Sequence, residues 1–211
     1  MHRLLCLDGL RGLLALYVLI GHVAPFATLP GAVQSLVMHG GAAVDLFFAL
    51  SGLVIVQALE RQNAQTGPFL IARAARIFPV YLPVFGFAVL TQSLPCGFER
   101  MPWLAWNNPA YGICVSGWPR SWLPEIAAHL TMTHGLFPAG VLPDVWISFL
   151  GSAWSLSTEW QFYMLALLVR GRQRLIVVLL VLAGLGAAWR MIAPEDWQFS
   201  RAFLPNQAHY F

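Results

Sequence analysis

Residues 10–23 read LRGLLALYVLIGHV, and this stretch decides the fold class of the chain. Ten residues without a charge stand between Arg11 and His22. A helix needs about 20 mostly apolar residues to cross a membrane, and residues 7–26 supply that length. We therefore predict a membrane-spanning helix here, with a basic side chain near each of its ends.

The composition extends this prediction to the whole chain. Of its 211 residues, 58% are hydrophobic and 10% are charged, whereas a water-soluble domain carries about 25% charged residues. Most of the surface must therefore face an apolar medium, and the nine Trp and fourteen Phe suit aromatic belts at membrane interfaces. The net charge of +3 is too small to suggest a nucleic-acid partner. The expected partner is the lipid bilayer.

The remaining apolar stretches predict four more spans and one shorter segment. Together with the first, the predicted spans are 7–26, 41–59, 77–94, 148–169 and 175–192. The apolar piece 125–137 is too short to cross, so it is expected to be interfacial or re-entrant on the outer side. The predicted fold class is all-α: a polytopic transmembrane helix bundle of about five spans, forming a single membrane domain over residues 1–211.

The arginines predict the orientation of this bundle. They cluster between spans two and three and between spans four and five, at Arg61, Arg73, Arg76, Arg170, Arg172 and Arg174. The positive-inside rule places both loops, and hence the N-terminus, in the cytoplasm. Cys96 and Cys114 would then share an outward-facing region, where they form either a disulfide or two free thiols.

Charged side chains at membrane depth cost about 2.5–3.5 kcal/mol each and usually mark function. Arg11 and His22 are eleven residues apart, so they share one face of the helix, and Asp8 is spaced to pair with Arg11. His22 is then either a titratable group in a site or a structural histidine that bonds two helices. The alternative for Arg11 is snorkelling toward the headgroups.

Two further spans carry polar residues. Asp45 begins the second span, either as an interfacial cap or as part of the site, and Ser51 is expected to serve helix packing. The fourth span contains a polar face, which comprises Ser152, Ser155, Glu159 and Tyr163. Glu159 is either an acid–base group or one half of a structural ion pair.

Two basic motifs remain. Arg73 and Arg76 stand three apart, a spacing that suits an anion clamp for phosphates but also fits simple topology marking. His129 and His134 lie in HLTMTHGL, without the further ligands that a metal site requires. We therefore expect no metal site.

Five stretches stand in a specific order: LDGLRGLLALYVLIGHV, VDLFFALSGLVI, FLIARAARIFPVYLPV, HLTMTHGL and WSLSTEWQFYMLAL. In this order they resemble the motifs of acyltransferase family 3, integral-membrane O-acyltransferases that modify bacterial surface glycans and related molecules. The resemblance runs from Leu7 to about Val169. Complete family members have about ten membrane helices, so the resemblance implies that this chain is the N-terminal part of a longer domain.

The resemblance also implies roles for individual residues. Family members share an arginine, ten intervening residues and a histidine in the first helix, and Arg11 and His22 match this motif. The histidine is expected to be essential for acyl transfer. Arg73 and Arg76 match an arginine-rich motif for the donor, although Ala72 stands where a basic residue is common.

Further matches concern the outer segment and the fourth span. Glu159 and His134 match a carboxylate and a histidine of the family. The full set of predicted site residues is catalytic His22, Glu159 and Asp45, and substrate-binding Arg11, Arg73, Arg76, His134 and Tyr163.

These features predict a membrane-bound O-acyltransferase of the bacterial inner membrane. It would move an acyl group, an acetyl group in the first instance, from acyl-CoA to a hydroxyl of a glycan or lipid-linked acceptor, with no bound cofactor. His22 would be the base or a transient acyl carrier, its ring held by Asp45 or Glu159.

The alternative function is a proton-coupled transporter, with Asp8, Arg11, His22 and Glu159 as a relay. The last stretch, DWQFSRAFLPNQAHYF, ends without a closing signal. We therefore expect a truncated chain, and a structural membrane fragment without activity is the third alternative.

Overall fold

The computed structural model describes residues 5–37, 39–61, 65–95, 97–104, 117–169 and 171–211. Within these ranges the fold is helical, and extended pairing is limited to an isolated bridge between Pro138 and Phe199. The predicted all-α class is therefore confirmed. In chain order the α-helices are α1 Leu5–Val23, α2 Gly31–Val37, α3 Gly40–Arg61, α4 Thr66–Thr91, α5 Trp122–Leu130, α6 Trp154–Val169, α7 Arg172–Ile192 and α8 Leu204–Gln207. Cys96 and Cys114 lie outside the described residues.

Among the described residues, four stretches are long and apolar enough to cross a membrane: Gly9–Phe26, Gly31–Glu60, Thr66–Thr91 and Arg172–Ile192. The predicted span 148–169 is not one of them, because its helix has only 16 residues. Many large side chains of these four stretches are exposed, and Leu90 and Met191 are more than 80% exposed. In water such exposure would be costly, whereas in lipid it is the expected arrangement. The chain is an integral membrane protein.

Two predicted boundaries are wrong. Helix α4 begins at Thr66 rather than at residue 77, because Pro68 in its first turn is tolerated and the following FLIARAAR is rich in helix formers. Helix α6 begins at Trp154 rather than at residue 148. The preceding turns include Asp144 and Phe149 with positive φ, which a continuous helix excludes.

The chain divides into two compact units. The first comprises Met1–Ser51, Pro95–Val115 and Tyr210, and the second comprises Gly52–Leu94, Ser116–His209 and Phe211. The boundary falls within α3. That residues 1–211 form one membrane domain stays a prediction.

In the second unit, α4 buries one face and α6 packs against it. The buried positions on α4 are Phe69, Ile77, Tyr81 and Phe85. Phe69 meets the edge of Tyr163 at 6.0 Å, and Phe78 meets the edge of Trp160 at 5.5 Å. The residue numbers rise from Phe69 to Phe78 on α4, while their partners on α6 fall from Tyr163 to Trp160. The two helices are therefore antiparallel.

Helix α5 runs back along the second half of α4. At the end of α4, Gln92 donates a hydrogen bond to the carbonyl of Gly117. Eleven residues earlier on α4, the hydroxyl of Tyr81 lies 3.2 Å from Nδ1 of His129. Eleven helical residues rise about 16 Å, so the chain from Gly117 to His129 descends about that far. The chain then turns back. That this segment is interfacial or re-entrant on the outer side of the membrane stays a prediction.

Helix α7 packs closely on the segment that follows it, and glycine permits this contact. A Cβ added at Gly186 would lie 2.7 Å from the carbonyl oxygen of Pro205, whereas a Cβ at Gly184 would meet nothing within 4 Å. Both glycines are on α7, so they form a matched pair.

We predict that Gly186→Ala destabilises the fold by about 1–3 kcal/mol, because the methyl group has no room against backbone. Gly184→Ala should be neutral or stabilise by about 0.5–1 kcal/mol, because alanine favours the helix. Unfolding midpoints in detergent measure both effects. Equal midpoints for the two variants would contradict the close contact at Pro205.

Candidate functional site

His22 is exposed in the last turn of α1. Its Nδ1 lies 2.8 Å from the carbonyl oxygen of Val18. A carbonyl only accepts hydrogen bonds, so Nδ1 carries the proton and Nε2 of the neutral ring holds the lone pair. Within the described residues His22 bonds only to its own helix, so it is not a tie between two helices there. Its Nε2 is left available as a base or nucleophile.

Arg11 is buried in the first unit, with 6% of its surface exposed. Its Nη2 donates to the hydroxyl of Ser51 at 3.0 Å, and its guanidinium carbon lies 4.7 Å from the ring centroid of Phe47. Arg11 therefore joins α1 to α3 and does not snorkel, while its contact with a donor stays a prediction. The side chain of Asp8, its predicted partner, lies outside the described residues.

Asp45 lies half-buried on α3. Its carboxylate forms no hydrogen bond or ion pair among the described residues, and the carbonyl of Val18 occupies Nδ1 of His22. The structure therefore does not bring Asp45 to the imidazole that it was expected to orient. A catalytic role for Asp45 stays a prediction.

Glu159 and Tyr163 are brought together on the buried face of α6. The Tyr163 hydroxyl donates to Oε1 of Glu159 at 2.5 Å, and their exposed fractions are 4% and 2%. The rest of the predicted polar face differs. Ser152 is exposed, and the fully buried hydroxyls of this region belong to Ser157 and Thr158 instead.

Arg73, on α4, lies near this pair. Its guanidinium lies 5.5 Å from the Phe69 ring, and that ring in turn packs edge-on to Tyr163. Nε of Arg73 is buried without a hydrogen-bond partner in the described chain. Arg76, one helical turn further along α4, is exposed. The two arginines thus differ in environment, and the cationic end of Arg76 is open to an anionic ligand.

His134 is fully buried beside His129. The two rings stack at 4.1 Å, and Nε2 of His134 lies 3.3 Å from the carbonyl oxygen of Ala153. The carbonyl of Ala128 also faces the ring, but Nδ1 makes no hydrogen bond of good geometry. His134 is thus part of a packed polar interior.

The N-terminal part of α6 holds His134 in this position. The Ser157 hydroxyl donates to the carbonyl of Met132 at 2.8 Å and accepts from the N–H of Gly135 at 3.1 Å. Met132 has a positive φ of 59°, which is costly for a side-chain residue. These two hydrogen bonds therefore fix a strained turn at Met132 and Gly135, which flank His134.

Sequence reasoning missed most of the polar cluster around His129. Glu125, Tyr81 and Ser148 contact or neighbour this histidine. Glu125 and His129 are four residues apart, a same-face spacing that the sequence does show. Tyr81 and Ser148 come from other parts of the chain, and no local pattern marks them. Among the described residues there is no group of three potential metal ligands.

Burial governs the titration of both histidines, which lie outside the four candidate spans. Burial, together with the smaller effect of neighbouring His134, lowers the pKa of His129 from 6.5 to about 3. Burial also lowers the pKa of His134 to about 4. The unfolded chain then binds protons below about pH 6.5 that the folded chain refuses, so stability is lost as the pH falls through this window.

We predict that the unfolding midpoint in detergent falls between about pH 7 and pH 5, and that His134→Gln weakens this dependence by removing one buried base. His39→Gln is the control, because His39 is exposed and should leave the dependence unchanged. Burial raises the pKa of Glu125, which makes the fold more stable as the pH falls. This is the opposite effect, but it comes from one group, whereas the loss of stability comes from two histidines. The same pH dependence in His134→Gln and the natural chain would contradict the prediction.

Comparisons with known proteins now extend these observations. The domain described as "Acyltransferase domain" in acyltransferase family 3 matches residues 4–208. Protein 2 in the picA locus of Rhizobium radiobacter is 39% identical over 98 residues, which cover 44% of this chain and 47% of that protein. Acyltransferase MdmB of Streptomyces mycarofaciens is 29% identical over 173 residues, covering 77% of this chain and 38% of that protein.

The matches thus span less than half the length of these curated relatives. No solved structure matches the chain. The family match covers nearly all of the sequence, and the chain belongs to acyltransferase family 3.

Proposed function

We propose that this protein is a membrane-bound O-acyltransferase that moves an acetyl group from acetyl-CoA to a hydroxyl of a glycan or lipid-linked acceptor. Family membership supports the reaction class. The observation that carries the catalytic assignment is the hydrogen bond from Nδ1 of His22 to the carbonyl of Val18. It leaves Nε2 with its lone pair on an exposed face of α1, which is the state that a general base requires.

In the simplest route, Nε2 of His22 takes the proton of the acceptor hydroxyl. The hydroxyl oxygen attacks the thioester carbonyl, the carbon–sulfur bond breaks, and the imidazolium returns the proton to the CoA sulfur. In the second route, Nε2 attacks the thioester carbonyl, the carbon–sulfur bond breaks and CoA leaves as the thiolate. The acceptor oxygen then attacks the acetyl group on Nε2, its proton goes to the CoA thiolate, and the neutral imidazole is released. Both routes use the same nitrogen in the same tautomer.

We assign the donor's phosphates to Arg76 and Arg73. Arg76 is exposed, and Arg73 has a buried Nε without a hydrogen-bond partner in the described chain. Guanidinium groups bind phosphate oxygens through charge-assisted hydrogen bonds. The arginine-bearing loops then lie in the cytoplasm, with the N-terminus on the same side of a bacterial inner membrane.

A proton-coupled transporter remains the second candidate from the sequence. Its relay requires Arg11 and His22 to exchange protons, yet Arg11 bonds Ser51 and His22 bonds its own helix. The structure offers no hydrogen bond between these two residues, so it lends this candidate no support.

We predict that His22→Ala lowers acetyl transfer by at least about 100-fold, because it removes the base or carrier. Membranes that contain the protein are supplied with labelled acetyl-CoA and host glycan, and label in the glycan is measured. His39→Ala is the control, since His39 is a second exposed histidine in the same unit. Transfer by a correctly inserted His22→Ala protein would remove His22 from the mechanism.

We predict that Arg73→Gln combined with Arg76→Gln raises the apparent KM for acetyl-CoA about tenfold or more, because each charge-assisted hydrogen bond contributes about 1.5–3 kcal/mol. The acceptor's KM should change little. Arg172→Gln combined with Arg174→Gln is the matched control, because it removes two exposed arginines from α7. If both double variants behaved alike, or if both substrates were affected equally, the arginines would only mark topology.

A further inference from the structure

A buried chain of hydrogen bonds connects α4, α5 and the turns before α6, and acyl transfer does not use it. The Tyr81 hydroxyl lies 3.2 Å from Nδ1 of His129. The Ser148 hydroxyl lies 3.4 Å from Nε2 of the same ring and donates to the carbonyl of Val145 at 3.2 Å. It is also near enough to Glu125 to lower the pKa of that carboxyl group. Glu125 is 2% exposed and His129 is fully buried. Four groups that can exchange protons are thus in sequence inside the second unit.

The tautomer of His129 sets the direction of this chain. Nε2 lies 2.9 Å from the carbonyl oxygen of Val145, so Nε2 carries the proton and Nδ1 is the acceptor. The hydroxyl of Tyr81 faces two acceptors at the same distance of 3.2 Å, Nδ1 of His129 and the carbonyl oxygen of His129. The phenol proton is therefore shared between the backbone carbonyl and the ring.

Glu125 is the last group in this hydrogen-bonded series, and its carboxyl group can form more hydrogen bonds than it has. Its Oε2 is buried and has no hydrogen-bond partner within the described ranges, an arrangement that costs about 1–3 kcal/mol for a polar atom and more for a charge. The neighbouring carboxylate of Asp144 adds repulsion. Stacked His134 contributes no compensating positive charge, because burial lowers its pKa. Each of these surroundings favours a proton on Glu125.

We propose that Glu125 is a reversible proton-binding site, and that Tyr81, His129 and Ser148 are the path by which it exchanges protons with water. A hydronium ion gives a proton to the phenol oxygen of Tyr81 as the phenol proton moves to Nδ1 of His129, so that no phenolate forms. Nε2–H passes its proton to Ser148, and the Ser148 proton goes to the Glu125 carboxylate. His129 is left as the Nδ1–H tautomer, and its Nε2–H form returns when the same steps run in reverse. One carboxylate becomes a carboxylic acid, and one hydronium ion becomes water.

The experiment uses the full chain in lipid bilayers and does not depend on acyl transfer. Infrared difference spectra over a pH series should contain the C=O band of a buried carboxylic acid at pH values above the ordinary glutamate value of 4.5. Glu125→Gln should remove this band. Glu195→Gln should retain it, because Glu195 is exposed. Absence of a Glu125-dependent band at every pH where the protein is folded would overturn the site.

The path is tested by the rate at which this band shifts after transfer to heavy water. Tyr81→Phe removes only the phenol oxygen and should slow the exchange about tenfold or more. Tyr17→Phe is the control, since the Tyr17 hydroxyl bonds the carbonyl of Leu36 in the first unit. Unchanged exchange in a folded Tyr81→Phe protein would overturn the path. If that variant does not fold, Ser148→Ala interrupts the same path and decides the question by the same rate.

Discussion

A polar side chain in an apolar surrounding must find its partners inside the protein, because lipid offers none. This constraint determines where the few charged residues of the chain lie. Arg11 is buried where the hydroxyl of Ser51 and the ring of Phe47 contact its guanidinium. Glu159 is buried with the hydroxyl of Tyr163 as its donor. The same partners that offset the free-energy cost of burial also fix each side chain in one position, which is what a functional group needs.

The start of α6 concentrates such partners in the second unit. Thr158 and Gln161 both donate to the carbonyl of Ala202, and Gln161 also accepts the N–H of Leu204. Ser157 holds the turn that carries His134. One helical face therefore fastens two irregular segments whose backbone groups would otherwise be unpaired. A buried serine or threonine on this face does more for the fold than its small volume suggests.

The sequence predicted the long apolar helices well, since hydrophobic length is a local property. Helices α1, α3 and α7 lie within about three residues of the predicted spans at both ends. The starts of α4 and α6 were missed for different reasons. In α4, arginines were taken as loop residues although they are good helix formers. In α6, an apolar run was taken as helix although the left-handed residue Phe149 interrupts it.

The candidate site likewise contains features that the sequence predicted and features that it did not. Burial of Glu159 was predictable from its place in an apolar segment, and Tyr163 from its spacing four residues later. The contact between Tyr81 and His129 was not predictable, because 48 residues separate them. Only the return of α5 along α4 creates that contact. Roles for His22, Arg73 and Arg76 rest on family motifs and remain to be measured.

The shortness of α6 has a consequence for the membrane itself. Its 16 residues span about 24 Å, whereas the hydrocarbon layer is about 30 Å thick. Helix α4, with 26 residues, reaches about 39 Å. Helix α6 alone is therefore too short to cross this layer, and for the segment to cross, about one helical turn's depth beside it would have to be filled by non-helical chain. Lipid in contact with that part of the protein would thin or tilt its tails at a cost of fractions of a kcal/mol per Å. Membrane thickness thus becomes a variable to which this protein should respond.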